Sequence, residues 1–200
     1  MNASMYRAFR RLGWGFVIIL LDIRIVFFDL LPDFIGFIMI ASAFQHLSAY
    51  QTVFNKAKWV SIAMIFLSIP EMFMPYNVSF PEFVVAPLKL QLYSQAMLAL
   101  HVLSAYWTFI GLGAMAKQAG QTALLNTVTT RRDFFLVIYV SELIFYPFLL
   151  NVEASRIMLL IAIMALSFIV ELLFIRLPFR FSKITRHLQN GRLEGGTNIE

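Results

Sequence analysis

Six long apolar stretches follow one another along the chain, at 12–31, 34–50, 57–74, 93–116, 134–150 and 157–175. A helix rises 1.5 Å per residue, so about 20 residues cross the hydrocarbon core of a bilayer. Four of the stretches reach or approach that length, while 34–50 and 134–150 need flanking residues to complete a span. A soluble domain of 200 residues has no interior large enough for six such segments. Hydrophobic residues make up 60% of the chain, against about 45–50% in soluble domains. Charged residues make up 14%, against the usual value of about 25%. The fold class that follows is all-α: a polytopic membrane bundle of six transmembrane helices over residues 1–178. Helices satisfy their own backbone hydrogen bonds, as lipid requires.

The connections support this division. Pro32 stops helix one and Asp33 can cap helix two, so these helices are antiparallel neighbours joined by a tight turn. Residues 51–56 form a short polar loop. Residues 75–92 carry Pro75, Pro81 and Pro87 around apolar Phe83-Val84-Val85, as a segment lying on the membrane or dipping into it would. Residues 117–133 read as a polar, Thr-rich loop, and 151–156 as a short outer link. Arg7, Arg10 and Arg11 precede the first apolar run as in a signal peptide, but Asp22 and Arg24 interrupt that run and no cleavage site follows Leu21. It reads as an uncleaved first helix. Three helices on either side of the 75–92 loop would be oppositely oriented, yet the two halves share no residue pattern.

Basic residues fix the orientation, because cytoplasmic loops are enriched in Lys and Arg. With the N-terminus inside, thirteen of sixteen basic residues fall on the inner side, leaving Lys89 and Arg156 outside and Arg24 within helix one. Six spans with both ends in the cytoplasm satisfy every loop. The net charge of +5 is thereby a matter of topology, and nucleic acid is not an expected partner. Residues 179–200 read as a basic amphipathic tail. Arg176, Arg180, Lys183 and Arg186 are expected to contact anionic lipid of the inner leaflet. Leu177, Phe181, Ile184 and Leu188 form the adjoining apolar stripe, Pro178 sets the tail apart, and Gly191 ends its helix.

A charge inside the membrane costs about 2.5–3.5 kcal/mol on insertion scales and needs an explanation. Four charged residues fall there, Asp22, Arg24, Glu142 and Glu171, and His101 joins them as a titratable group. Together they are either an ion- or proton-binding site or a salt-bridged brace. Arg24 keeps its proton and needs an anion. Asp22, two residues away, lies on another helix face, so Glu142 is its expected partner. Glu171 lies near the inner end of helix six, where interfacial water or a tail arginine would satisfy it. His101 reads as a hydrogen-bonded packing residue. An outer turn motif of Asp29, Pro32, Asp33 and Gly36 completes the set; Asp29 sits at a helix C-terminus, where the dipole disfavours an anion.

Enzyme chemistry finds little support. The chain has no cysteine, only three histidines, no G-x-S-x-G and no phosphate loop. Gly111-Leu112-Gly113-Ala114 lacks the aspartate that an intramembrane aspartyl protease carries in its glycine motif. No metal or other cofactor is expected.

The segment Phe27-Phe28-Asp29-Leu30-Leu31-Pro32-Asp33-Phe34-Ile35-Gly36-Phe37 resembles the N-terminal signature of small multi-pass membrane proteins of Gram-positive bacteria with an FDLLPD-x-IG segment between their first two helices. The resemblance covers about the first fifty residues. It implies a bacterial cytoplasmic membrane location and brings no activity or site residues. The expected function is a non-enzymatic membrane component in signalling, assembly or the envelope, partnered by lipid and by another membrane protein or a second copy. The alternative is a small-solute or ion transporter using the buried charges.

Overall fold

The computed structural model describes residues 3–21, 24–25, 28–29, 33–70, 88–145 and 157–196. Among them are six helices: α1 (Ala3–Leu21), α2 (Asp33–Leu47), α3 (Phe54–Ser68), α4 (Leu88–Gln118), α5 (Thr122–Phe145) and α6 (Ile157–Gly196). Two two-residue strands, β1 (Arg24–Ile25) and β2 (Phe28–Asp29), pair antiparallel, with Arg24 opposite Asp29. The fold is all-α apart from this one small ladder.

The helices form a closed ring in which each packs on the next in sequence and α6 returns to α1. Neighbours run antiparallel. Between α1 and α2, Ser4 Oγ lies 3.3 Å from Tyr50 Oη beyond the end of α2, and Arg11 donates to Ser42 Oγ at 2.7 Å. Phe44 of α2 stacks on Phe54 of α3 at 5.8 Å. Lys56 of α3 lies 4.3 Å over the Trp107 ring of α4, and Gln95 of α4 donates to the Leu143 carbonyl of α5. Phe9 and Phe16 of α1 meet Phe181 and Phe174 of α6, at 5.4 and 4.7 Å. Up-down alternation around an even ring places the start of α1 and the end of α6 at the same end. Inside, Phe109, Phe135 and Phe174 from α4, α5 and α6 form a fully buried triangle with centroids 5.0–5.5 Å apart. Each such pair adds about 0.5–1.5 kcal/mol beyond its area burial.

The first expected helix is shifted. Residues 12–31 are not one span: α1 begins at Ala3 and ends at Leu21, and the chain then enters the ladder. Met5, Ala8, Phe9, Leu12 and Phe16 recur at helical spacing and are buried, while Arg7, Arg10 and Arg11 face outward. That stripe draws the helix toward the N-terminus. Beyond Leu21 the run Ile23-Arg24-Ile25-Val26-Phe27-Phe28 is β-branched and aromatic, which suits extended backbone.

The expected polar loop at 117–133 is mostly helix. Only residues 119–121 separate α4 from α5, in a Schellman turn: Gly120 has φ +67°, Gln121 N–H donates to Ala116 O, and Gly120 N–H to Lys117 O. Thr127 and Thr129 donate to the carbonyls of Ala123 and Leu125, so the Thr-rich stretch stays helical. Buried Leu124 and Val128 give it an inward face.

The tail is not a separate unit either. α6 runs unbroken for 40 residues through Pro178 and past Gly191. Leu177, Phe181 and Thr185 are buried, and Phe179 lies against Gly13 of α1. Burying Leu and Phe side chains yields roughly 1.5–3 kcal/mol each, enough together to offset about 3 kcal/mol for an interior proline. Leu177 and Phe181 of the expected apolar stripe thus pack on protein, and Ile184 is partly buried.

The remaining spans shift less. α2 matches 34–50 closely, α3 starts three residues before 57, and α4 and α6 contain 93–116 and 157–175. Residues 88–92 belong to α4 rather than to a loop. The segment suspected of dipping into the membrane and the 151–156 link lie outside the described residues, as do the ends of the third and fifth expected spans.

Gly36 of the outer turn motif has a packing role. A Cβ on Gly36 would lie 2.9 Å from the Gly15 carbonyl oxygen, and one on Gly15 would lie 3.0 Å from the Gly36 carbonyl oxygen. Glycines at both positions let α1 and α2 cross at backbone contact. α4 and the Ile161–Arg186 part of α6 are long and apolar enough to cross a membrane on length and composition alone; α2 is apolar but shorter.

Candidate functional site: a carboxylate shared by three helices

On α6, Ser167 and Glu171 are four residues apart, and on α5, Tyr139 and Glu142 are three apart, so each pair shares one helix face. Antiparallel packing brings the faces together in register. Tyr139 Oη donates to Glu171 Oε2 at 2.9 Å. Ser167 Oγ donates to Glu142 Oε2 at 2.9 Å, about one turn nearer the far end of the ring. From α4, His101 Nε2 comes within 3.1 Å of the same Glu171 Oε2. One carboxylate oxygen thus ties α4, α5 and α6 together.

The surroundings are aromatic. Phe135 stacks on Tyr139 at 4.3 Å, and the His101 ring leans on both, at 5.8 and 5.5 Å. Glu171 and Ser167 are each 7% exposed. The Glu142 carboxylate is near enough for its charge to act on His101. An ionised Glu171 accepts both hydrogen bonds. The arrangement makes one carboxylate the common acceptor for side chains of two other helices.

Of the five residues expected to form a buried charged cluster, the structure brings together His101, Glu142 and Glu171. Asp22 lies outside the described residues, and so does the side chain of Arg24, whose backbone is in β1. The described partner of Glu142 is Ser167, where Arg24 had been expected. Glu171 pairs with His101 and Tyr139 rather than with a tail arginine. The reason is its face: Glu171 points inward with Ser167 and Phe174, whereas Arg176 and Arg180 are exposed. Asp33 opens α2, as a capping residue would; Asp29 is described only as the backbone of β2, and Pro32 is outside the described residues. Tyr139 and Ser167 were missed from the sequence. Their signal was a hydroxyl three or four residues from an acid within an apolar helix.

Toward the C-terminal end of α6, Arg176, Arg180, Lys183 and Arg186 are all exposed on one face. Arg180 reaches Thr127 Oγ1 at 3.5 Å, and Arg131 Nη1 donates to the Leu173 carbonyl at 2.6 Å. Comparisons with protein-family models, characterised proteins and solved structures find no match.

Proposed function

We propose that this chain is a multi-pass protein of the cytoplasmic membrane, with six crossings and both ends in the cytoplasm, acting as a non-enzymatic component whose proton-responsive element is the Glu171 network. The membrane reading draws support from large apolar side chains exposed on every helix. Leu21, Ile38, Phe66, Leu88, Val137 and Met158, one from each helix in turn, are large, apolar and exposed. Trp59 and Trp107 lie beside cationic side chains, Lys58 5.0 Å over Trp59 and Lys56 4.3 Å over Trp107. Tryptophan beside cationic side chains suits a headgroup layer. The FDLLPD-x-IG resemblance points to a bacterial cytoplasmic membrane.

The functional reading rests on one observation: His101 and Tyr139, from different helices, converge on one oxygen of Glu171, on a third. A proton bound at that oxygen would displace or reverse one of the two contacts, a response suited to signalling or assembly. A small-solute or ion transporter is the second reading, favoured by the Glu142–Ser167 pair that continues the polar line about one turn outward. In a lipid nanodisc, the infrared carboxyl band followed as pH is stepped should show a titrating acid that Glu171→Gln removes. An unchanged band across the folded pH range would make the network a fixed brace. Proton flux in proteoliposomes, abolished by Glu142→Gln, would select the transport reading.

A further inference from the structure

Three arginines converge at the inner end of the α5–α6 seam. Arg131 is half-buried, with one of its five N–H donors spent on the Leu173 carbonyl. Its charge lies close enough to those of Arg176 and Arg180 to be opposed by both; burial first, and then these like charges, hold its pKa below the ordinary arginine value. Arginine nonetheless stays charged. Among the described residues no carboxylate pairs with any of the three. The nearby acid, Asp133, is engaged with Arg132 at 2.8 Å. Like charges gathered without a counter-charge call for an anion, and planar guanidinium forks fit phosphate oxygens in pairs.

The neighbouring surface indicates which phosphate. Directly outward along the same two helices, Phe134 and Val137 of α5 and Phe168, Ile169 and Leu172 of α6 are exposed. An anion held at the arginines would have this apolar strip beside it on the membrane side. A free phosphate gains nothing there, whereas the acyl chains of a lipid would lie along it. We propose that Arg131, Arg176 and Arg180 form a defined site for the phosphate headgroup of an anionic phospholipid of the inner leaflet, with its acyl chains on the strip between α5 and α6. This rests on the membrane reading but not on the proton-responsive network. Two of the site's members, Arg176 and Arg180, belong to the expected tail contact, whose apolar residues Leu177 and Phe181 are buried.

The test uses the full chain, purified in a neutral detergent and titrated with phosphatidylglycerol or phosphatidylcholine, with bound lipid counted by native mass spectrometry. Phosphatidylglycerol should bind at least tenfold more tightly than phosphatidylcholine. Arg176→Gln with Arg180→Gln should erase that preference; both residues are exposed, so the fold is not at risk. Adding Arg131→Gln should change little more. Lys183→Gln with Arg186→Gln, on the same face but beyond the seam, should leave the preference within about twofold of wild type. Equal losses from both pairs would mean diffuse surface charge and overturn the site. Full competition by inorganic phosphate at the lipid concentration would mean a bare anion site and overturn the lipid assignment. A chain that stays monodisperse without detergent would refute the membrane reading itself.

Discussion

His101 Nε2 and Glu171 Oε2 stand 3.1 Å apart, joining the middle of α4 to α6 beside the Phe135–Tyr139 stack of α5. The pair is seventy residues apart in sequence, and nothing in the sequence joins the two positions. What makes it a site is the second donor, Tyr139, on the same oxygen.

Tyr139→Phe tests that second donor. It removes one hydroxyl from a stack that otherwise stays in place. A buried hydrogen bond contributes about 0.5–1.5 kcal/mol, and interhelical bonds in membranes average about 0.6. The variant should lower the melting temperature in detergent by a few degrees. Tyr139→Phe combined with Glu171→Gln should cost less than the sum of the single changes, because both break the same bond. Strict additivity would separate the two residues.

The Gly15–Gly36 crossing should tolerate nothing larger. Gly36→Ala places a Cβ 2.9 Å from a backbone carbonyl, which cannot move as a side-chain tip would. Overpacking of this kind costs roughly 1–3 kcal/mol. Gly113→Ala meets only side-chain carbons at 3.7 Å or beyond, so it should be neutral or slightly stabilising. Monodisperse yield after detergent extraction should fall for the first variant and hold for the second. Equal yields would mean that α1 and α2 are less closely packed than their glycines indicate.

These glycines mark the limit of what sequence could show. Apolar windows located the helices, since each needs an unbroken stripe, and antiparallel pairing followed from short connections. The ends were harder. Residues 12–31 are apolar apart from Asp22, Arg24 and Asp29, so composition could not reveal that the buried face of α1 starts earlier, at Met5 and Phe9, while Ile25 and Phe28 belong to a ladder. Thr127 and Arg131 made 117–133 look like a loop, because hydroxyls bonded back to the helix are indistinguishable from exposed ones in a sequence. Glu142 and Glu171 stood out by charge. Their true partners did not, because Ser167 and Tyr139 are unremarkable until two helices are laid in register.

The up-down ring puts the start of α1, the Ala119–Gln121 turn and the end of α6 at one end. Single cysteines at Ser4, Gln121 and Gly195 should therefore share one accessibility. In intact cells all three should resist an impermeant thiol reagent and become reactive only after lysis, while a cysteine at Ser79 should react directly. Labelling of Gly195 with protection of Ser79 would reverse the orientation. A split result among Ser4, Gln121 and Gly195 would break the ring.

Glu142 separates the two accounts of its charge. Its described partner is Ser167, at 2.9 Å. Charge balance in the sequence also points to Arg24, which must find an anion because it does not lose its proton. If the serine is the main partner, Ser167→Ala and Glu142→Gln should be coupled by about 1 kcal/mol in a double-mutant cycle. Arg24→Leu should then act independently of both. If the arginine is the partner, Arg24→Leu alone should sharply lower folded yield by leaving a buried acid unmatched, and Arg24→Leu with Glu142→Leu should restore it, since an apolar pair can replace a buried ion pair. Folded yield of all these variants in one detergent decides the matter. Coupling to Ser167 without rescue of Arg24→Leu leaves Glu142 as part of the Glu171 network, and the reverse result moves it to the hairpin end of α1.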